Sequence, residues 1–507
     1  MKPSSTLDFI KLIGVLTTCY NTPVFAINWS VNPFLQTQEV YSDNIRLTPQ
    51  DSQIGAFVTD VSPSISVVGQ SAKTTMNLNY RMQNLYNARG DEQLSTFNQL
   101  QANGRLILVP NRFFLNSSSS ISQQNISNTN IANDNISGSG NRTNVSTFSL
   151  SPTWTPRLGN YANANIQGSF NSISNDQAAA VGSVGLSDSI NTAENIQLTS
   201  GREFKRITWN LGFSNNENNR TSSSANDVVF QNTSGTIRTH LSKQINLFAT
   251  GGYSNNSFQT AFNNNNGFSY TLGAQWRPSN YYNIEAGYGN NRYVSLNLTP
   301  TRRLSWATTF RDNQIGLNSG QTWQSALNYS TRKSTWSLSH ENDTTTTQAI
   351  LLSQQQVTVD VNPDPLINQP VQFLVNVPTL TNDVIVRKMW IFSGSYFSGK
   401  STVSARGFFE DREFQVATTK EKVSGVSANW NWRFATKTSA YLAPQWQQID
   451  RAAPTNDNRY DVAIGLNRQI AKHINGRLEF RHLEQSSAII TNNYQENRAT
   501  ASLFMNF

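Results

Sequence analysis

Ala499-Thr500-Ala501-Ser502-Leu503-Phe504-Met505-Asn506-Phe507 sets the pattern for the whole chain. Apolar side chains hold the odd positions, and Thr500, Ser502 and Asn506 fall between them. Successive side chains of an extended backbone point to opposite faces, so this alternation builds a strand with one apolar and one polar side. The same period of two recurs upstream. Met76, Leu78, Tyr80 and Met82 alternate with Asn77, Asn79, Arg81 and Gln83. Ala162, Ala164, Ile166, Gly168 and Phe170 alternate with Asn163, Asn165, Gln167 and Ser169. Further runs are Phe268-Tyr270-Leu272-Ala274-Trp276, Val426-Ala428-Trp430-Trp432-Phe434 and Tyr460-Val462-Ile464-Leu466. Each covers roughly nine to eleven residues, enough to cross a bilayer when tilted. A soluble sandwich also alternates. Repetition over so many segments favours a sheet closed on itself, which leaves no exposed edge.

The expected fold is therefore all-β: a transmembrane antiparallel up-and-down barrel of about 22 strands, within a range of roughly 18–24. The count follows from about 20 residues per strand plus loop and from the even number usual in bacteria. Connections sort by length. Short ones carry Pro, Arg or Lys, at 156–160, 277–280, 331–334 and 435–438. Longer ones are rich in Asn and Ser, at 214–227, 255–266, 450–459 and 485–493. Barrels of the outer membrane have short periplasmic turns and longer outer loops, so the alternation gives a topology. Trp154, Trp276, Trp430, Trp432 and Phe434 precede short turns, and Tyr281, Tyr282, Trp306, Trp336 and Tyr441 follow them. An interfacial aromatic girdle belongs there.

Lys2 and Lys11 precede an apolar stretch from Leu12 onward that leads to Val24-Phe25-Ala26. That reads as a signal peptide over 1–26, cleaved between Ala26 and Ile27. Cys19, the only cysteine, lies inside it; as a lipoprotein acceptor it would need a small Gly or Ala before it, where Thr18 stands. Residues 27–56 precede the first clear alternation and read as an N-terminal periplasmic segment, with the barrel over 57–507. Ser117 to Asn141 reads as a long loop. Thr344 to Lys388 reads as an accessory hairpin or long loop, with Val357, Val359 and Val361 opposite Val371, Phe373 and Val375 across Pro363-Asp364-Pro365.

The formal charge is +8 with only 14% charged residues and a mean hydropathy of −0.47. Two readings of the positive excess stand side by side. On a pore wall it would favour anionic solutes such as an anionic saccharide; on the surface it would meet lipid phosphates, including those of lipopolysaccharide. No dense basic patch with interleaved aromatics points to nucleic acid. The four histidines form no metal-ligand spacing. His482 with Glu484, and His340 with Glu341 and Asp343, are rim pairs without a third partner, and Glu410-Asp411-Arg412-Glu413 reads as a charged rim. No catalytic, cofactor or metal site is expected, and the chain reads as non-enzymatic. Asn77, Asn79, Arg81, Asn163, Asn165 and Gln167 are the candidate lumen-lining residues.

A terminal Phe507 in phase with Leu503 and Met505 resembles the element read by the barrel assembly machinery of Gram-negative bacteria. More widely, the chain resembles a family of outer-membrane proteins associated with the PEP-CTERM/exosortase system. The residues that carry this are Trp29, Val40-Tyr41-Ser42-Asp43-Asn44-Ile45-Arg46-Leu47, Val61-Ser62-Pro63-Ser64-Ile65-Ser66, Leu78-Asn79-Tyr80-Arg81-Met82-Gln83, Thr381-Asn382-Asp383-Val384 and Phe507. The resemblance implies an envelope role near exopolysaccharide export and assigns no catalytic residue. The expected function is a porin-like or export channel in the outer membrane. Its rival is a structural or adhesive barrel with a filled lumen.

Overall fold

The structure is a computed structural model. It describes residues 27–507 apart from 90–93, 127–130, 133, 177–186, 222–226, 258–264, 356–380, 416 and 452–454. Cys19 and Ala26 lie outside the described residues, as do the six residues of the expected accessory hairpin. The described chain is one antiparallel sheet in which strands pair in sequence order. The first strand, Asn28–Ser42, also pairs with the last, Tyr494–Asn506, from Phe34↔Asn506 to Ser42↔Arg498. The ladder thus returns on itself. Of its 25 strands, the two-residue Arg157–Leu158 touches only the strand that follows it, so the closed ring has 24 members.

Twenty-four is the upper limit of the sequence expectation, for two physical reasons. Residues 28–42, expected outside the barrel, form its first strand and supply both edges needed for closure. The middle of the chain is also more compact than 20 residues per strand allows. Tyr282–Gly289, Asn291–Thr301 and Leu304–Asn313 follow one another with one- and two-residue connections.

Two corrections concern the irregular regions. Ser117 to Asn125 belongs to strand Phe113–Asn125 rather than to a loop, and only 126–141 is a connection. In the other region, Ser334–Thr346 and Val384–Ser398 are barrel strands, and the nine residues Thr347–Gln355 between them form a helix. The loops expected at 214–227 and 450–459 are likewise shorter, because strands Ile207–Arg220, Thr438–Arg451 and Thr455–Ala471 extend into them. Strand ends thus project further at the long-loop end than the apolar alternation indicates.

The outward face is apolar. Ala499, Ala501 and Leu503 on the last strand share it with Leu478 and Phe480, which are 62% and 50% exposed. Trp154, Trp276, Tyr281, Tyr282, Trp306, Trp336, Trp430, Trp432 and Phe434 are exposed beside the short turns, as the sequence pattern predicts. Tyr441 departs from it. The residue is buried against Gly465, and its hydroxyl meets Glu479 on the inner face. Ala440 and Leu442 carry the outward parity there, and one position of shift turns a side chain to the other side.

Candidate functional site

The two faces of a closed ladder are identified by what reaches across it. Glu496 and Arg498 of the last strand contact Ser137 and Asp134, which belong to the connection between Phe113–Asn125 and Arg142–Trp154. Leu351 of the helix packs with Val145 and Ile173. These belong to the sixth and seventh strands of the ring, whereas the helix leaves from the seventeenth. Such contacts are made only through the interior. Both segments therefore fold into the lumen at the long-loop end.

Each inward segment has its own fastening. In the first, Asp134 accepts from Arg498 Nη1 at 2.5 Å and stands 3.7 Å from Arg481 Nη1. Burial opposes ionisation of Asp134, but Arg498, Arg481 and Arg142 outweigh it and hold the carboxyl well below the usual carboxylate range. Asn135 donates to Gln83 Oε1 at 2.8 Å and to Gln123 Oε1 at 3.1 Å. Tyr494 donates its hydroxyl to the Ile131 carbonyl at 2.9 Å. The Gly138 N–H donates to the Ile45 carbonyl at 3.0 Å, and Gly138 has φ +65°, which suits a residue without Cβ. In the second segment, Ile350 packs with Ile385 and Phe414, and Leu351 meets the far wall. Gln348 donates to Asn382, which in turn donates to Ser187 Oγ at 2.7 Å.

Beside these segments, near the long-loop ends of the strands, one side of the wall is a ladder of ion pairs. Arg412 donates to Glu410 and Glu421, both at 3.0 Å, with all three side chains nearly inaccessible. Arg451 meets Asp457 at 2.5 Å, and Arg481 meets Asp461 at 2.5 Å. Arg81 and Gln83 both donate to Asp60, which is 0% exposed. The opposite wall carries small and amide side chains around a recess of about 560 Å³. Ser234, Thr250, Ser295 and Thr309 line it with Glu285, Tyr293 and Arg311. Arg238 donates to Glu285 and to Gln275, each at 2.9 Å, and Phe248 stacks on Tyr293 at 6.1 Å.

The sequence candidates fall as follows. Arg81 is on the inner face with Asp60, and Asn77 and Asn79 share its parity. Asn77 also borders a second inner recess, of about 660 Å³, with Asn103, Arg105 and Ser118. Asn163, Asn165 and Gln167 share the parity of Ile173, which the helix touches. Leu503 is outward and exposed; Phe507 is 75% exposed, and its N–H donates to the Pro33 carbonyl at 3.1 Å. Glu410 and Arg412 are interior, a correction to their reading as a rim; alternation leaves only Asp411 and Glu413 on the other face. His340 stacks on Trp390 at 4.4 Å on the outward face, while Asp343 binds Arg387 on the inward one, so they form no pair. His482 stands 3.8 Å from Glu484. Among the described residues no group of three or more His, Cys, Asp or Glu could hold a metal ion. Sequence reasoning missed Asp134, Arg481 and Arg498, whose meeting joins positions more than 340 residues apart.

No protein-family model and no curated protein matches the sequence. Among solved structures, the FrpB iron transporter from Neisseria meningitidis aligns at 10% identity and TM-score 0.43, over 94% of this chain and 82% of that one. The siderophore receptor PirA from Acinetobacter baumannii aligns at 8% identity and TM-score 0.44, over 94% and 80%. A mutant of the ferric enterobactin receptor PfeA from Pseudomonas aeruginosa aligns at 9% and 0.44, over 94% and 80%. The assignment as a barrel rests on this chain's own closed ladder.

Proposed function

We propose that the chain is a non-enzymatic outer-membrane barrel that passes a polar solute along its Ser, Thr and Asn wall. Its mouth is narrowed at the long-loop end by residues 134–138 and by the helix. The observation that carries this is the sorting of faces on a closed ladder, apolar outside and polar within. A bilayer is the surrounding that matches it, because the closed ring pairs each strand on both sides and presents no open sheet edge to lipid. The solute class we favour is a saccharide, in keeping with the exopolysaccharide setting that the PEP-CTERM resemblance implies.

A second reading has its own support. Two inward segments and a wall of paired charges suit a structural barrel with a filled lumen. Single-channel recording in planar bilayers separates the two. Wild-type protein should give small or intermittent steps. A variant with 126–138 shortened to a tight turn and the helix removed should give large, steady ones. Correctly folded protein of both kinds that never conducts would favour the structural barrel.

A further inference from the structure

Consecutive antiparallel strands turn at alternate ends, so eleven connections, from 71–73 to 472–473 and none longer than seven residues, share one end of the ring. Ten of them contain Lys or Arg, and the eleventh, Asn280-Tyr281, follows Arg277 by three positions. Together these turns hold fourteen Lys and Arg against a single acid, Glu203. Thirteen of the fourteen are exposed, and Lys73 is half-buried. The whole chain is only +8, so its remainder holds five more acids than bases. The positive excess is thus a property of one rim and not of the lumen wall.

Two features indicate what this rim meets. Its charge is spread round the full circumference, which suits a flat anionic surface encircling the barrel better than a partner docked on one side. Directly beside it on the outward face stands the belt of Trp154, Trp276, Tyr282, Trp306, Trp336 and Trp432. Aromatic rings at that depth sit among headgroups, and Lys and Arg just beyond them reach phosphates. We infer that the short-turn rim is a binding surface for the anionic phospholipid headgroups of the leaflet it faces. The inference rests on the membrane-barrel reading above.

The test uses folded full-length protein in phosphatidylcholine vesicles, with and without ~30% phosphatidylglycerol. The readouts are the unfolding temperature of the heat-modifiable band and lipid retained in native mass spectrometry. Anionic lipid should raise the unfolding temperature of the wild type, and high salt should remove the gain. The variant Arg302→Gln/Arg303→Gln/Arg332→Gln/Lys333→Gln should lose roughly a third of it. The long-loop control Arg89→Gln/Lys420→Gln should keep it. Equal unfolding temperatures of inserted protein with and without phosphatidylglycerol would overturn the inference. So would a soluble polyuronate that binds the rim in detergent micelles while phosphatidylglycerol does not. Protein that gains no protease protection in either vesicle would remove the membrane reading itself, and this inference with it.

Discussion

Asp134 shows how much one carboxylate governs. Arg498, Arg481 and Arg142 surround it from three strands, and its connection has no other charged anchor among the described residues. Its folded pKa is depressed, so its contribution to closure is complete above the ordinary value of 3.8 and is lost as pH falls through the lower, folded value. Protease clipping within 126–138 should therefore stay slow from neutral pH to about 4 and rise only in stronger acid. Asp134→Asn should raise it at neutral pH, on the order of tenfold. Arg412 poses a different case. Arg412→Met leaves Glu410 and Glu421 buried with their principal charge partner gone, and should destabilise the barrel by about 3–5 kcal/mol in denaturant unfolding. Parity made the facing of Asn77, Arg81 and Leu503 legible in the sequence. Tyr441 and Arg412 were misread because an aromatic or a charge near a turn occurs on either face, and only the register decides.

At the scale of elements, regular strands declared themselves and inserted segments did not. Asn28–Ser42 mixes both faces: Trp29, Val31 and Leu35 lie on one, Phe34 and Val40 on the other with Gln36 and Gln38. It lacks a period of two and is held by its two neighbours instead. The helix Thr347–Gln355 is short and has no local signal beyond Ile350-Leu351-Leu352; its docking depends on Val145 and Ile173 far away. Leu351→Asp should undock it, with larger and steadier conductance and little change in unfolding temperature. Phe507 separates assembly from stability. Its ring is mostly exposed, and its N–H makes one bond to Pro33. Deleting it should cost refolded protein only about 1 kcal/mol. In cells the same deletion should leave periplasmic, protease-sensitive chain if the residue is an assembly signal. Normal surface levels would show that it is not.

For the whole molecule, closure, polar interior and apolar exterior were legible, because alternation repeats along the chain. Where the charge lies was not. Net charge is a sum, and only the topology reveals that the basic excess gathers at one end while acids of the wall are matched by arginines. Anion selectivity along the lumen accordingly loses its basis. With both inward segments removed, the chloride-to-potassium permeability ratio should be near unity in molar salt, where the screening length is about 3 Å. It should favour chloride at low salt, through the rim alone. Reversal potentials in asymmetric salt check this.

The seam between Phe34–Ser42 and Arg498–Asn506 makes the polypeptide a ring nicked at one place. Any long loop would serve as an alternative nick. A circularly permuted gene, with the old ends joined by a short linker and new ends cut at 488–493, should refold to the same barrel in vitro. The terminal phenylalanine would then sit inside the chain with its strand pairing intact. Such a permutant tells whether the export pathway reads a position in the sheet or a free chain end.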